Sequence, residues 1–221
     1  ACFAALGLLM LLGCGGGAGL LQDPPASNRA APPAQGLDCR HMLRTRQYKL
    51  CVAAVALSAP PVLLFSPEIL AIAADRGLPE PAAPFCVVLG SAASAAGRLL
   101  CPAVSHTFGR KPVLYAVYLG LAAGSAWFAF AGGWWVLASY ALLTFFYSGG
   151  AAVQPAWNTD LFGLRHAGVN YGFLALGMSG GSLLSYIGSQ ALPLGARHWL
   201  AGGCALAGLL CAALVKPLPK P

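Results

Sequence analysis

The chain has 221 residues, 58% of them apolar, and only 13 basic and 6 acidic side chains, 9% charged in all, where a soluble domain carries about 25%. Too few ions are present to coat a water-soluble surface, and the net charge of +7 does not point to nucleic acid, because the basic residues fall between apolar runs and form no basic stripe interleaved with aromatics. The runs are about twenty residues long, which is what ~30 Å of hydrocarbon requires of a helix rising ~1.5 Å per residue. The fold class is therefore all-α integral membrane, with membrane lipid as the first partner.

In chain order, seven segments are expected to span, at about 1–21, 50–74, 84–105, 113–131, 134–156, 168–192 and 198–216. A closed barrel would need alternating stretches of about ten residues, and runs such as Leu114 to Ala131 show no alternation. Residues 22–49 hold Pro24-Pro25, Pro32-Pro33 and five basic side chains, and read as a flexible linker. Pro60-Pro61 removes two backbone donors in mid-span and is expected to break or kink the second segment. Such a break either borders a binding cavity or is merely accommodated by neighbouring helices. Gly120 and Gly124, the cluster from Gly13 to Gly19, and Gly177, Gly180 and Gly181 let helix backbones approach closely. Cys2, Cys14, Cys39, Cys51, Cys86, Cys101, Cys204 and Cys211 form no C-x-x-C pair, so no zinc or disulfide framework is expected, and no cofactor.

Arg98 is the most informative single residue. It lies some seven residues inside the expected end of the third segment, where a charge costs at least ~2.5–3.5 kcal/mol unless it faces a partner or water. Snorkelling to the interface is the competing explanation. Glu68, near the other end of the second segment, is a weaker candidate for proton coupling, because Asp75-Arg76 marks the interface close by. Tyr140, Thr144, Tyr147 and Gln154 recur at helical spacing on the fifth segment, as do Tyr171, Ser182, Ser185 and Ser189 on the sixth. Each stripe either lines an aqueous pathway or bonds to its own backbone and to neighbours. Gly177-Met178-Ser179-Gly180 with His198 matches an intramembrane serine protease pattern. Ser179 is placed ~20 Å from the end of its span at which His198 opens the next one, too far for a nucleophile and its base, so no enzyme is expected.

Counting Lys and Arg between segments orients the chain, because cytoplasmic loops gather positive charge. One side collects Arg29, Arg40, Arg44, Arg46, Lys49, Arg110, Lys111, Arg165, Lys216 and Lys220; the other has Arg76 and Arg197, ten against two. The linker and C-terminus are thus expected in the cytoplasm and residue 1 outside, as for a fragment whose earlier spans are missing. Leu11-Leu12-Gly13-Cys14 resembles a lipidation box but lacks the positive region such a signal needs.

Gly97-Arg98-Leu99-Leu100, with Pro102 and Ser105 following and then Phe108-Gly109-Arg110-Lys111, resembles the loop between two helices of a major facilitator superfamily half, where G-R-x-x-x-x-x-x-S-D-R-x-G-R-K is expected. His106 stands where that pattern has its acid, and Thr107 where it has a base. Met42-Leu43-Arg44-Thr45-Arg46-Gln47-Tyr48 resembles the "mLrTrqF" that opens the C-terminal half in the oxalate/formate antiporter and monocarboxylate-type branch. Asp160-Leu161-Phe162-Gly163, His166, Gly168 and Asn170-Tyr171-Gly172 resemble the same branch's "eLFG..h.G.nYG". The resemblance implies that 1–21 is the last helix of an N-terminal half, 22–49 the central cytoplasmic linker, 50–216 a six-helix C-terminal transporter bundle and 217–221 a tail. It also implies that Arg98 matches one of two basic residues that face the anion in the oxalate-type members, with Met178 in the approximate place of the other, a lysine; the polar stripe of the fifth segment adds Tyr140, Tyr147 and Gln154 as candidate substrate contacts. Gly97, His106, Gly109, Arg110 and Lys111 would form the gating motif.

The function expected is a multi-pass secondary transporter of the plasma (inner) membrane, moving a small organic anion, a carboxylate, by alternating access. No G-x-x-x-x-G-K-[ST] is present, so protons or an exchanged solute would supply the energy, and a missing N-terminal half would complete the site. A proton-coupled sugar or drug exporter of the same superfamily is the nearest alternative, and a non-transporting membrane scaffold the alternative of another class. The charge count predicts that single cysteines at Ala34 and Leu218, in a background without the native cysteines, stay unlabelled by an impermeant thiol reagent on intact cells while one at Gly77 reacts. Equal labelling at all three would overturn the orientation.

Overall fold

The computed structural model describes residues 2–20 and 36–216. Two units are distinguished, 1–33 and 34–221. In the first, a single helix, α1 (Cys2–Leu20), carries the expected apolar segment. The linker residues 21–35 and the tail 217–221 lie outside the described residues.

The second unit opens with a short helix, α2 (Cys39–Arg44), joined to α3 (Arg46–Leu57) through Thr45. The Thr45 hydroxyl donates to the Met42 carbonyl at 2.7 Å and accepts from the Tyr48 N–H at 3.1 Å, so one side chain both ends α2 and caps α3. Pro60 and Pro61 break the second span as expected, leaving α3, α4 (Pro60–Leu63), a 3-10 turn over Ser66–Glu68 and α5 (Ile69–Asp75). The Ser58 hydroxyl donates to the Val55 carbonyl at 2.7 Å, and the Ala59 N–H bonds at 3.4 Å to the Ala56 carbonyl, one of the two that the prolines leave without their helical donor.

The long helices follow: α6 (Pro84–Phe108), α7 (Arg110–Phe130), α8 (Trp135–Phe162), α9 (Ala167–Ala191) and α10 (Leu194–Leu214). Five stretches, Arg46–Asp75, Glu80–Phe108, Arg110–Phe130, Trp135–Phe162 and Leu194–Leu214, are long and apolar enough to cross a membrane. The 25 residues of α9 have the length but not the apolar density, because that helix holds Asn170, four serines and six glycines. Two helices outrun the hydropathy pattern. The third segment was expected to end near 105 and α6 continues to Phe108; the fifth was expected to end near 156 and α8 continues through Pro155 to Phe162. Each stops at a glycine with positive φ, +90° at Gly109 and +86° at Gly163, a conformation that costs glycine nothing. Polar residues in these last turns hide the continuation from an apolar-run reading.

Close approach of backbones organises the bundle. A Cβ at Gly97 of α6 would collide with the Phe145 carbonyl of α8, one at Gly149 with the Cys101 thiol, and one at Gly181 of α9 with the Ala56 carbonyl of α3. Gly177 repeats the α9–α3 contact, with a Cβ there 2.7 Å from the Val52 carbonyl. Gly120 and Gly124 seat Phe146 and Leu143 of α8 against α7. Tyr118 of α7 crosses to α3, its hydroxyl donating to the Ala54 carbonyl at 2.6 Å. The buried core runs through Phe65, Leu64, Val55, Val117, Leu121, Phe128, Leu143 and Leu174.

These contacts predict opposite signs for one substitution at two helical glycines. Alanine in place of glycine adds about 1 kcal/mol of helix propensity, so Gly180→Ala, where a Cβ meets nothing within 4 Å, is expected to hold or raise the thermal midpoint in detergent. Gly97→Ala is expected to lower it, by about 1–3 kcal/mol of overpacking. Equal midpoints would contradict the α6–α8 contact.

Candidate functional site

A cavity of about 550 Å³ opens between the broken span, α6 and α8. Its walls include Val62, Leu63 and Ser66 from the break, Ser91, Ser94 and Arg98 from α6, and Tyr140, Thr144, Tyr147 and Ser148 from α8. The helical step explains the set: 91, 94 and 98 share a face of α6, and 140, 144, 147 and 148 share a face of α8. Gly90 lets α6 come up to the Tyr140 ring, where a Cβ would sit 2.9 Å from Cε1.

Most of the polar groups in this wall satisfy one another. The Tyr140 hydroxyl donates to Ser66 Oγ at 3.1 Å, Ser94 and Ser148 share a hydrogen bond at 2.6 Å, and the Thr144 hydroxyl donates to the Ala141 carbonyl at 2.9 Å. Among the described residues Arg98, Ser91 and Tyr147 have no hydrogen-bonding or ionic partner, and Arg98 is the one charged residue in the lining. With α6 extending to Phe108, the guanidinium-bearing residue lies ten residues, about 15 Å, from the helix end. That depth is about half the hydrocarbon thickness. Five donors of fixed geometry, directed into a polar cavity without an acid, suit a planar anion.

The other sequence candidates lie elsewhere. Gln154 is buried two turns beyond Tyr147 and does not line the cavity; its Oε1 has no partner among the described residues. Met178 packs against the apolar core and does not line it either. The three serines of the α9 stripe bond within their own helix, Ser182 to the Met178 carbonyl, Ser185 to Gly181 and Ser189 to Tyr186, and Tyr171 of the same stripe does not line the cavity. Glu68 pairs with Arg197 at 2.8 Å, away from the cavity. Sequence patterning did not single out Ser66, Ser91, Ser94 or Ser148. Ser66 follows the break directly, and the α6 serines keep helical register with Arg98, so the signals were present without a partner helix to give them meaning.

At the end of the bundle holding Gly109 and Gly163, Arg110 and Lys111 of the expected gating motif bond to other elements, whereas Gly97 lies in mid-α6 against α8. Arg110 donates from Nε to Asp160 Oδ2 at 3.2 Å and from a terminal nitrogen to Ser105 Oγ at 2.9 Å. Lys111 donates to the Val215 carbonyl beyond α10. His106 is exposed and joins no hydrogen bond among the described residues; the carboxylate that faces Arg110 comes from α8 instead. Gly36 and Leu37 pair with Gly163 and Phe162, the Leu37 N–H donating to the Phe162 carbonyl at 2.8 Å, and Asn170 Nδ2 donates to the Leu37 carbonyl at 3.0 Å. The chain leading into α2 is thereby fixed to the α8–α9 turn.

At the opposite end Arg76, just past α5, reaches across α7 and α10. It donates to the Phe128 and Ala131 carbonyls and to His198 Nε2 at 2.9 Å, and its guanidinium lies 4.9 Å from the Phe128 ring centroid. Burial lowers the Arg76 pKa from the ordinary arginine value, although arginine remains a cation in proteins. His198 is thus committed to Arg76 and the aromatic core, whereas Ser179 is exposed on α9.

No family model and no curated protein matches the sequence. Solved structures do match in fold. A variant of the E.coli fucose:proton symporter superposes with a TM-score of 0.72 at 17% identity, over 94% of this chain and 53% of the symporter chain. The chain therefore spans about half the length of that structure. Identity at this level speaks to architecture alone, and the architecture is an all-α, multi-pass membrane bundle with the fold of about half of that symporter chain.

Proposed function

We propose that the chain is part of a secondary transporter that moves a small organic anion, with Arg98 holding the substrate carboxylate. The observation that carries this reading is the unpaired guanidinium of Arg98 in a cavity of about 550 Å³ with no acidic residue in its lining. A carboxylate leaving water needs a charge-assisted partner, and Arg98 supplies two parallel donors, with Tyr147 and Ser91 free to bond the remaining polar atoms. The 53% coverage of the symporter supports assigning α1 to the end of one half, 22–49 to a linker and α3 to α10 to a second half. Alternating access would then rock the two halves about the cavity, in the plasma (inner) membrane, with the Gly109 end cytoplasmic. The hydroxyl-rich wall and the likeness to a sugar symporter favour a second reading, a neutral sugar moved with protons, in which Arg98 bonds hydroxyls.

Uptake of radiolabelled mono- and dicarboxylates and of hexoses into proteoliposomes separates the two. With Arg98→Lys, a carboxylate clamp predicts about a tenfold or greater rise in half-saturating concentration at unchanged membrane expression, since ammonium cannot reproduce the paired donors. Wild-type kinetics in that variant would remove the clamp; saturable hexose uptake with no carboxylate competition would favour the second reading.

The Arg110–Asp160 pair and Lys111 are proposed to latch the cytoplasmic end between substrate-loading states, with Gly97 and Gly109 setting the helix approach and turn, and His106 beside the latch. Arg110 and Asp160 retain 27% and 55% of their side-chain exposure, so a double-mutant cycle of Arg110→Ala and Asp160→Ala is expected to give a coupling below about 1 kcal/mol. His106→Asp should compete for Arg110 and shift cavity-cysteine accessibility. Unchanged accessibility in that variant would count against the latch.

A further inference from the structure

His198 opens a separate line of argument that stands without the substrate assignment. It sits four residues into α10, 8% exposed, with its ring stacked on Phe65 at 4.6 Å and 17° and tilted against Phe128 at 5.5 Å. Its Nε2 lies 2.9 Å from a terminal nitrogen of Arg76. Guanidinium only donates, so Nε2 must be the acceptor. His198 is therefore a neutral imidazole carrying its proton on Nδ1, and that Nδ1 is buried without a partner among the described residues. A buried donor left unpaired calls for an explanation.

The connections of this ring supply one. Phe65, which stacks on it, is the residue at which the broken span turns from α4 into the 3-10 turn, and the next residue, Ser66, accepts the Tyr140 hydroxyl in the cavity wall. Phe128 in turn touches Tyr140, with ring centroids 6.3 Å apart. Arg76 ties the same point to the end of α7 through the Phe128 and Ala131 carbonyls, and its own carbonyl accepts the Gly133 N–H at 2.8 Å. One imidazole thus joins the α5 end, the α7–α8 turn, α10 and, through a single step of chain, the cavity.

We propose that the Arg76–His198 pair is a proton-binding clasp: protonation of His198 opens this end of the bundle and loosens the cavity wall at Ser66 and Tyr140. Imidazole is the side chain of this cluster that can take up a proton and become charged on acidification. Gaining a proton at Nε2 removes the acceptor that Arg76 uses and sets two cations side by side, so the Arg76 bond breaks and the guanidinium leaves its place among the α7 carbonyls. The surroundings offer the charged ring no counter-ion. From the 3-10 turn, Glu68 is engaged by Arg197, which also binds the Ser189 and Leu192 carbonyls of the α9 end. Asp75, next to Arg76, forms no ion pair among the described residues; α7 brings Phe128, α8 brings Tyr140, and α4 brings no titratable group. The sign follows: the clasp is closed in neutral and alkaline conditions and opens as pH falls.

The test uses the whole chain in nanodiscs. Nitrogen-15 NMR of its four histidines, with the His198 signal identified by its loss in His198→Gln, is expected to show the Nδ1–H tautomer at pH 7.5. Hydrogen–deuterium exchange, compared at matched chemical exchange times, should show the 64–78 and 128–136 peptides at least threefold less protected at pH 4.0 than at pH 7.5. His198→Gln, whose side-chain oxygen can accept from Arg76 but cannot charge, should abolish that difference, and His198→Lys should be unprotected already at pH 7.5. An Nε2–H tautomer, equal protection of the wild-type chain at the two pH values, or an undiminished acid response in His198→Gln would each overturn the clasp. The wild-type pH response needs no variant, so the proposal is decided even if a substitution prevents folding.

Discussion

Everything in this bundle depends on helix backbones touching where no solvent drives them together. In lipid, apolar side chains gain nothing by leaving the hydrocarbon, so association rests on packing and on hydrogen bonds between helices. Gly97 and Gly149 bring α6 and α8 so close that carbonyl and thiol groups take the space a Cβ would occupy, and Gly177 and Gly181 do the same for α9 against α3. The α6–α8 contact has a functional result, because it sets the two walls of the cavity at a fixed spacing and aligns Ser94 with Ser148 at 2.6 Å. Remove it and Arg98 no longer faces Tyr147 across a defined gap.

The economy of polar groups within that gap is equally determined. Hydroxyls cannot be left idle in a water-poor interior, and most in the wall are bonded to each other or to their own backbone. What stays available is sparse: a guanidinium, a phenol and a serine. The break at Pro60-Pro61 matters for the same reason. An unbroken helix would have used the backbone of this segment on itself, whereas the turn after α4 delivers Ser66 to Tyr140 and Phe65 to His198.

The two ends of the bundle are held by different chemistry. Where Gly109 and Gly163 turn the chain, the contacts are exposed and ionic, Arg110 with Asp160, together with main-chain pairing of Leu37 to Phe162. Exposed pairs of this kind are worth little individually and are suited to being made and released. At the Gly77 end the contacts are half-buried, with Arg76 and Arg197 each satisfying several carbonyls at helix termini. Carbonyls at a helix end have no partner within the helix, and a cation there also opposes the helix dipole, so two arginines stitch four elements. His198 is the member of that layer whose charge can change.

The sequence alone determined the fold class, the approximate place of the helical segments and the break at Pro60-Pro61, because each rests on local physics: hydrocarbon thickness, helical rise and the missing proline donors. It also singled out Arg98, since a cation in an apolar run is conspicuous without any neighbour. The full extents of α6 and α8 were not legible, because polar last turns look like loop until a positive-φ glycine is seen to stop them. Tertiary structure alone decided which polar stripe faces the cavity. The stripe of α8 meets α6 across it, while the serines of α9, equally periodic, turn their hydroxyls onto their own carbonyls. Gln154 and Met178 share helical register with cavity residues or motifs yet lie outside the lining, for register specifies a face and not the depth at which a gap opens. The pairing of Arg76 with His198, 122 residues apart, had no local signal at all, since it exists only where α5, α7 and α10 end at one level.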